Sequence, residues 1–397
     1  MIEPKLRFKA DDGSQFPDWE EKKLGDITSQ YKVRNKKRLP LEIYSVNNIV
    51  GFIPQSEQFD DAGYLKDTDT SIYMIVPPRH FAYNPARLDI GSIGYQHLDH
   101  DVQVSSLYEV FETSDLVNDE FLWSWFHTHY FNNVVKRLQE GGVRLYFYYD
   151  KMQEVKIGLP SLPEQQKIAD FLSTIDTVIA KQKETVSAWE ERKKGVMQKL
   201  FSQEVRFKAD DGSDFPEWEE KKFGEVFTER TERSKGGESL LSVTIAQGIV
   251  KQSETDKRNI ASENKSNYKI VKKNDLAYNT MRMWQGAEGV SEYDGIVSPA
   301  YTVITALDGN NSYFFETMFK QTFMLQVFQR YSQGLTSDTW NLKFPAFSEI
   351  KCQVPCENEQ NKIVECVAVL DEVIEKQKAT LTAWEELKKG LLQQMFV

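Results

Sequence analysis

The sequence predicts an α+β protein in which two α/β domains alternate with two long helices, in the order A–B–A′–B′. Three observations predict it: a repeated opening, a repeated heptad segment, and a divergent stretch between them that keeps one skeleton. The opening "RFKADDGSQFPDWEEKKLG" (Arg7 to Gly25) returns as "RFKADDGSDFPEWEEKKFG" (Arg206 to Gly224). A second pair is as close. "PSLPEQQKIADFLSTIDTVIAKQKETVSAWEERKKGVMQKLF" starts at Pro160, and "PCENEQNKIVECVAVLDEVIEKQKATLTAWEELKKGLLQQMF" starts at Pro355. This is duplication of one large unit, not a solenoid of short repeats. The implied domains are 1–158 and 204–353, and the helical segments 159–203 and 354–397. At 397 residues, two or more domains are expected.

The A regions come first. "SIYMIV" (Ser71 to Val76) and "AYTVIT" (Ala300 to Thr305) read as strands. The stretches Asn118 to Gln139 and Asn311 to Tyr331 read as helices, the first capped by Asn118. Between their ends the two A copies diverge, yet "AYNPARLDIGSIG" (Ala82 to Gly94) still aligns with "AYNTMRMWQGAEG" (Ala277 to Gly289). One fold is therefore expected twice, with different surface residues.

The B segments carry heptads. One seam position in the first copy is Ile168, Ile175, Gln182, Trp189 and Val196; the other is Leu172, Ile179, Val186, Lys193 and Leu200. In the second copy the rows are Ile363, Leu370, Gln377, Trp384, Leu391 and Val367, Ile374, Leu381, Lys388, Met395. Spacings of seven, with four between rows, suit helix-on-helix packing. Pro160, Pro163 and Pro355 mark the strand-to-helix boundaries. Each helix would be about 55 Å long at about 1.5 Å per residue. The chain supplies its own partner for each, and an antiparallel pair would relate the halves by a pseudo-two-fold axis.

Composition narrows the function. A hydrophobic share of 40% and a charged share of 27% fit a folded soluble protein. No apolar run approaches the roughly 20 residues of a membrane span, and "MIEPKLRFKADDG" lacks a signal-peptide core, so no membrane and a cytoplasmic location are expected. Three cysteines, Cys352, Cys356 and Cys366, make neither a disulfide framework nor a zinc site, and no metal is expected. The net charge of −11 disfavours nucleic acid on average. Basic clusters nevertheless occur at Arg34, Lys36, Lys37 and Arg38, at Arg230, Arg233 and Lys235, and from Lys251 through Lys257 and Arg258 to Lys273.

Catalytic signatures fail on inspection. "PDWEEKK" (Pro17 to Lys23) approximates a nuclease carboxylate motif, but Asp18 and Glu20 are too close to project from separate strands. "YNPAR" (Tyr83 to Arg87) lacks the second proline and the aromatic residue of amino-methyltransferase motifs, and no glycine-rich cofactor loop accompanies it. There is no P-loop. All five histidines lie in the first A region, so the duplicate could not share a histidine-based chemistry. The chain reads as a reader and a scaffold. Its alternatives are a coiled-coil protein scaffold without DNA readout and a self-sufficient methyltransferase–nuclease.

Taken with the A–B–A′–B′ order, the "FPDWEEKKLG" and "FPEWEEKKFG" openings, "LPSLPEQQKIADFLSTIDTVIAKQ" and the Trp-Glu-Glu and Lys-Lys-Gly helix ends resemble the specificity (S) subunits of type I restriction–modification systems. The resemblance covers essentially the whole chain. It implies that the A regions are target recognition domains, each reading half of a bipartite asymmetric site in double-stranded DNA. The helices would set the spacing and dock two methyltransferase (M) subunits, with restriction (R) subunits joining through them. It also implies that the M subunits carry S-adenosylmethionine for adenine N6 methylation, and that this chain binds no cofactor and catalyses nothing.

Base readout favours Arg on guanine and Asn or Gln on adenine. The candidates are Asn84 and Arg87 in the first domain, and Asn279, Arg282, Trp284 and Gln285 in the second. A second group precedes each long helix: Arg144 and Tyr146 in "GGVRLYFYYDK", and Thr336 and Ser337 in "QGLTSDTWN". Arg34, Lys36 and Lys37, with Arg230, Arg233 and Lys235, are the candidate phosphate contacts. The candidate helix seam is Ile168, Leu172, Ile175, Ile179, Gln182 and Trp189 with Ile363, Val367, Leu370, Ile374, Gln377 and Trp384.

Overall fold

A computed structural model describes residues 4–47, 51–58, 69–140, 145–245, 247–254 and 264–396. The chain divides into two compact units. One joins Met1–Glu184 to Lys378–Val397, and the other is Thr185–Gln377. The four sequence blocks are thus regrouped: each unit holds one α/β domain and a part of both long helices.

In the first unit a four-stranded antiparallel sheet orders Thr28–Gln30, Glu109–Thr113, Phe81–Tyr83 and Ile93–Tyr95. Three two-stranded pairs surround it: Glu20–Lys23 with Lys156–Leu159, Tyr44–Asn47 with Gly51–Pro54, and Met74–Val76 with Val102–Val104. The second unit repeats the plan. Its sheet orders Phe227–Glu229, Tyr301–Ala306, Leu276–Asn279 and Glu288–Val290.

The single helix expected over Asn118 to Gln139 is two helices, Asp119–Phe126 and His129–Leu138. Asn118 caps the first, its side chain accepting from the Phe121 N–H at 3.0 Å. Thr128 ends that helix and starts the next: its hydroxyl donates to the Trp125 carbonyl and accepts from the Phe131 N–H. A β-branched hydroxyl residue competes for backbone groups in this way. The break lets Phe121, Leu122, Trp125 and Phe126 of one helix and Phe131, Val134 and Val135 of the other enter one core. Asn311 to Tyr331 is also broken, into Ser312–Phe319 and Thr322–Tyr331, there without a side-chain cap at Gln321. The strand read over Ser71 to Val76 is shorter, because Thr70–Ile72 forms a 3₁₀ turn capped by Asp69.

The long helices run over Leu162–Phe201 and Glu357–Met395. Within the first unit the start of one lies antiparallel to the end of the other. Asp176 meets Lys388, and Lys183 meets Glu385 at 3.0 Å. Ile168, Leu172, Ile175 and Ile179 are buried in one cluster with Leu392, Met395 and Phe396, against which Leu381 and Trp384 are half-buried. Within the second unit Lys193 meets Asp371 while Leu200 shares a cluster with Ile363, again antiparallel. The seam lysines thus sit beside matched aspartates. Val367 and Ile374 are buried; Gln182, Trp189, Leu370 and Gln377 are half-buried. The seam also packs on the domains, since the clusters hold Trp19 and Phe121 in one unit and Trp218 and Phe314 in the other.

The repeated opening has a structural cause. Glu164 is fully buried and receives the Arg7 guanidinium through Nε at 3.0 Å and Nη2 at 2.9 Å, and the Trp19 indole N–H at 3.2 Å. Gln165 accepts from the Asn118 N–H at 2.7 Å and donates to the Pro160 carbonyl at 2.8 Å. The second unit makes the same lock with Arg206, Trp218, Glu359 and Gln360. A charge at 0% exposure needs both partner and hydrogen bonds, so these residues recur as a set.

Candidate DNA interface

In each unit one turn follows the central strand of the sheet. After Phe81–Tyr83 the chain bends at Asn84, whose side-chain oxygen accepts from the Ala86 N–H at 3.0 Å and whose carbonyl accepts from the Arg87 N–H at 3.0 Å. A 3₁₀ turn, Leu88–Ile90, then ends at Gly91 with φ +90°, a conformation that favours glycine. Leu88 is fully buried and anchors the turn, while Arg87 is exposed. Asn279, Arg282, Met283 and Gly286 (φ +79°) repeat this arrangement. Neither Arg87 nor Arg282 has a side-chain hydrogen bond or ion pair among the described residues. Each asparagine oxygen braces the turn, so Asn84 and Asn279 position the arginines, and their amide donors make no hydrogen bond among the described residues.

The second candidate group lies against the first. Phe147 N–H donates to the Pro85 carbonyl at 3.0 Å, and Leu342 N–H donates to the Thr280 carbonyl at 2.8 Å. In the first unit this gathers Asn84, Arg87 and Tyr146 with Tyr44, Tyr108 and Tyr148 around an open cleft of about 550 Å³. Tyr146 and Tyr148 stack with centroids 5.5 Å apart and planes 6° apart. In the second unit Trp284 meets Trp340 edge-on at 5.2 Å, and its indole N–H donates to the Met281 carbonyl. Gln285 is half-buried beside it, and Thr336 and Ser337 are exposed on the neighbouring loop. Arg144, Lys257 and Arg258 lie outside the described residues. Tyr83 and Tyr278 are fully buried core residues; burial pushes both phenols well above their ordinary range.

The basic clusters divide. Arg34, Lys36 and Lys37 are exposed. Arg230 is not available in the same way: it grips the buried Asp275 through Nε at 2.6 Å and Nη2 at 3.0 Å, which raises the guanidinium above its ordinary value. Arg233 donates to the Asn267 carbonyl at 2.8 Å, and the Lys235 side chain points to solvent. Sequence reasoning passed over Tyr44, Tyr108 and Tyr148, and Leu335, which is 100% exposed. The stacked tyrosines had a signal in the alternation of "LYFYY"; Leu335 had none, since "QGLTSDTWN" does not tell which of its apolar residues is exposed.

A family model for the type I restriction modification DNA specificity domain matches residues 17–187 and again 216–383. The chain belongs to this family. The MjaVIII specificity subunit of Methanocaldococcus jannaschii is 26% identical over 232 residues, 55% of this chain and 52% of that protein. The chain therefore aligns with about half the length of that curated relative. Two solved structures share the fold. The S subunit of a type I restriction–modification system from M. genitalium superposes with a TM-score of 0.55 at 15% identity, covering 100% of this chain and 99% of that one. A chain from a study of assembly and conformational transition in the type I system gives 0.57 at 14% identity, over 96% and 97%. Each match of the specificity-domain model takes in the second part of one opening, one turn-and-loop edge and the larger part of one long helix. No helix among the described residues is long and apolar enough to cross a membrane.

Proposed function

We propose that this chain is the DNA-reading subunit of a type I restriction–modification complex, with each α/β domain reading one half of a bipartite, asymmetric target. One observation carries the proposal: the same turn is built twice, and each copy projects an exposed arginine, without a side-chain partner among the described residues, into differing surroundings. Arg87 lines a cleft with tyrosines, and Arg282 lies two residues before Trp284, which packs on Trp340. A conserved frame with a variable face is what two different half-sites require. Guanidinium groups left unpaired at a surface suit guanine or phosphate. Arg34, Lys36, Lys37 and Lys235 supply further phosphate contacts.

The two long helices connect the recognition domains and set the gap between half-sites, whose centres fall about 10 bp apart if both domains face one side of the duplex. Two M subunits dock on the repeated surfaces, carry S-adenosylmethionine and methylate adenine N6; R subunits join through them. The chain itself directs chemistry and performs none. With its net charge of −11 it binds DNA weakly alone, and the M subunits complete the clamp.

An electrophoretic shift with and without M subunits tests this reading. Sequence-specific retention only in the presence of M subunits is expected. Assembly with M subunits without any specific retention would leave a protein scaffold. S-adenosylmethionine binding by the purified chain would favour a self-sufficient enzyme.

A further inference from the structure

The most exposed large apolar side chain among the described residues is Leu335, at 100%. It does not dangle. Gln333 and Asn341 exchange two backbone hydrogen bonds at the base of its loop, at 3.0 and 2.9 Å. Inside the loop the Thr339 and Trp340 N–H groups both donate to the Thr336 carbonyl, and the Thr336 N–H donates to the Thr339 hydroxyl. Gly334 adopts φ +142°, and a Cβ there would come within 2.6 Å of the Thr339 carbonyl oxygen. Only glycine allows this closure. The loop is then fixed to the recognition edge: Leu342 bonds Thr280, and Trp340 packs on Trp284 beside Arg282. A leucine exposed on a braced loop, at the edge that also carries Arg282 with no side-chain partner among the described residues, is placed for contact with something outside the chain.

The contact is not one that two identical partner subunits would share. In the first unit the corresponding loop runs between Glu140 and Tyr146, two residues shorter than the loop between Gln333 and Asn341. Loops of unequal length suit a ligand that differs between the halves, as the proposed half-sites do. Among the base edges displayed in the major groove, an aliphatic side chain matches one: the C5-methyl of thymine, in the groove where guanine also offers O6 and N7 to arginine. Resting on the DNA-reading function above, we propose that Leu335 reads a thymine methyl in the second half-site, from the major groove, alongside Arg282.

The test uses the complete complex of the chain with its M subunits and duplexes carrying the target. Each thymine in turn is replaced by deoxyuridine, which pairs identically and lacks the methyl. One position in the second half-site is expected to lose affinity by about three- to five-fold, the effect of about one buried methyl group. Leu335→Ala should bind the natural target with a similar loss, and should no longer distinguish deoxyuridine from thymine at that position. Its responses in the first half-site should be unchanged. The proposal is overturned if Leu335→Ala keeps the discrimination, if no thymine of the second half-site matters, or if that half-site has none. In those outcomes specific binding by the wild-type complex persists, so the DNA-reading function stands. Impaired assembly with M subunits in Leu335→Ala would make the leucine a protein contact. Absence of any sequence-specific binding would remove both readings.

Discussion

Replacing Arg7 by alanine tests the lock that joins each domain to its long helix. Glu164 would then stay at 0% exposure with its charge met by one indole N–H, at 3.2 Å. Removing one partner of a buried pair costs about 3–5 kcal/mol, since the remaining charge is stranded in the interior. The reverse change, Glu164→Ala, should cost less, about 2–3 kcal/mol, because the Arg7 side chain is already 17% exposed and can turn to water. Glu164→Gln keeps an acceptor for Trp19 and loses the ionic part, for about 1–2 kcal/mol. Urea unfolding gives these differences, and hydrogen exchange locates them. Arg7→Ala should loosen Glu20–Lys23 and its partner Lys156–Leu159, while the equivalent pair Glu219–Lys222 and Lys351–Val354 stays protected. Arg206→Ala should do the converse. If both alanine variants lie within about 1 kcal/mol of wild type, or if protection falls equally in both units, the lock does not hold the fold as argued.

Three further outcomes are expected. Arg87→Ala should weaken recognition of one half-site and Arg282→Ala the other, by about 1–3 kcal/mol each; normal modification of the full target by both variants would refute the assignment. Adding four residues to both long helices should change the permitted gap between half-sites and leave the half-sites themselves unaltered, as read from the methylated motif. Glu288 is fully buried with neither carboxylate oxygen hydrogen-bonded among the described residues, and burial raises its pKa well above the ordinary 4.5 even with Lys320 at 3.9 Å. The folded state then holds a proton that the unfolded chain releases, so this group's contribution is fully present below about pH 4.5 and lost as pH rises through the folded pKa. Glu288→Gln should therefore be more stable than wild type at neutral pH, with the gap closing toward pH 4.5 in thermal unfolding; a pH-independent difference would contradict the burial argument.

The frame was legible because its determinants are local or repeated. Heptads at Ile168, Leu172, Ile175 and Ile179 announced the buried helix face, and Pro160 and Pro355 its starts. The turn was visible as the Tyr-Asn and Arg shared by Ala82–Gly94 and Ala277–Gly289. Three things were not legible. The break at Thr128 depends on a hydroxyl choosing the backbone over solvent, which periodicity does not register. The lock between Arg7 and Glu164 joins residues far apart in sequence, so the recurrence of both was seen and their contact was not. Arg230 looked like a free surface cation because the partner that takes it, Asp275, lies 45 residues on, just before another strand of the same sheet. Exposure of Leu335 is likewise a property of the closed loop, not of its composition.

The measurement that bears most directly on the central claim is a map of N6-methyladenine across genomic DNA of the source strain, with and without this gene. The account predicts that a split, asymmetric motif loses methylation when the gene is removed, and that restoring the gene restores it. Methylation of every adenine motif unchanged by the deletion, in cells that make the chain together with its M subunits, would contradict the account and leave the protein a scaffold.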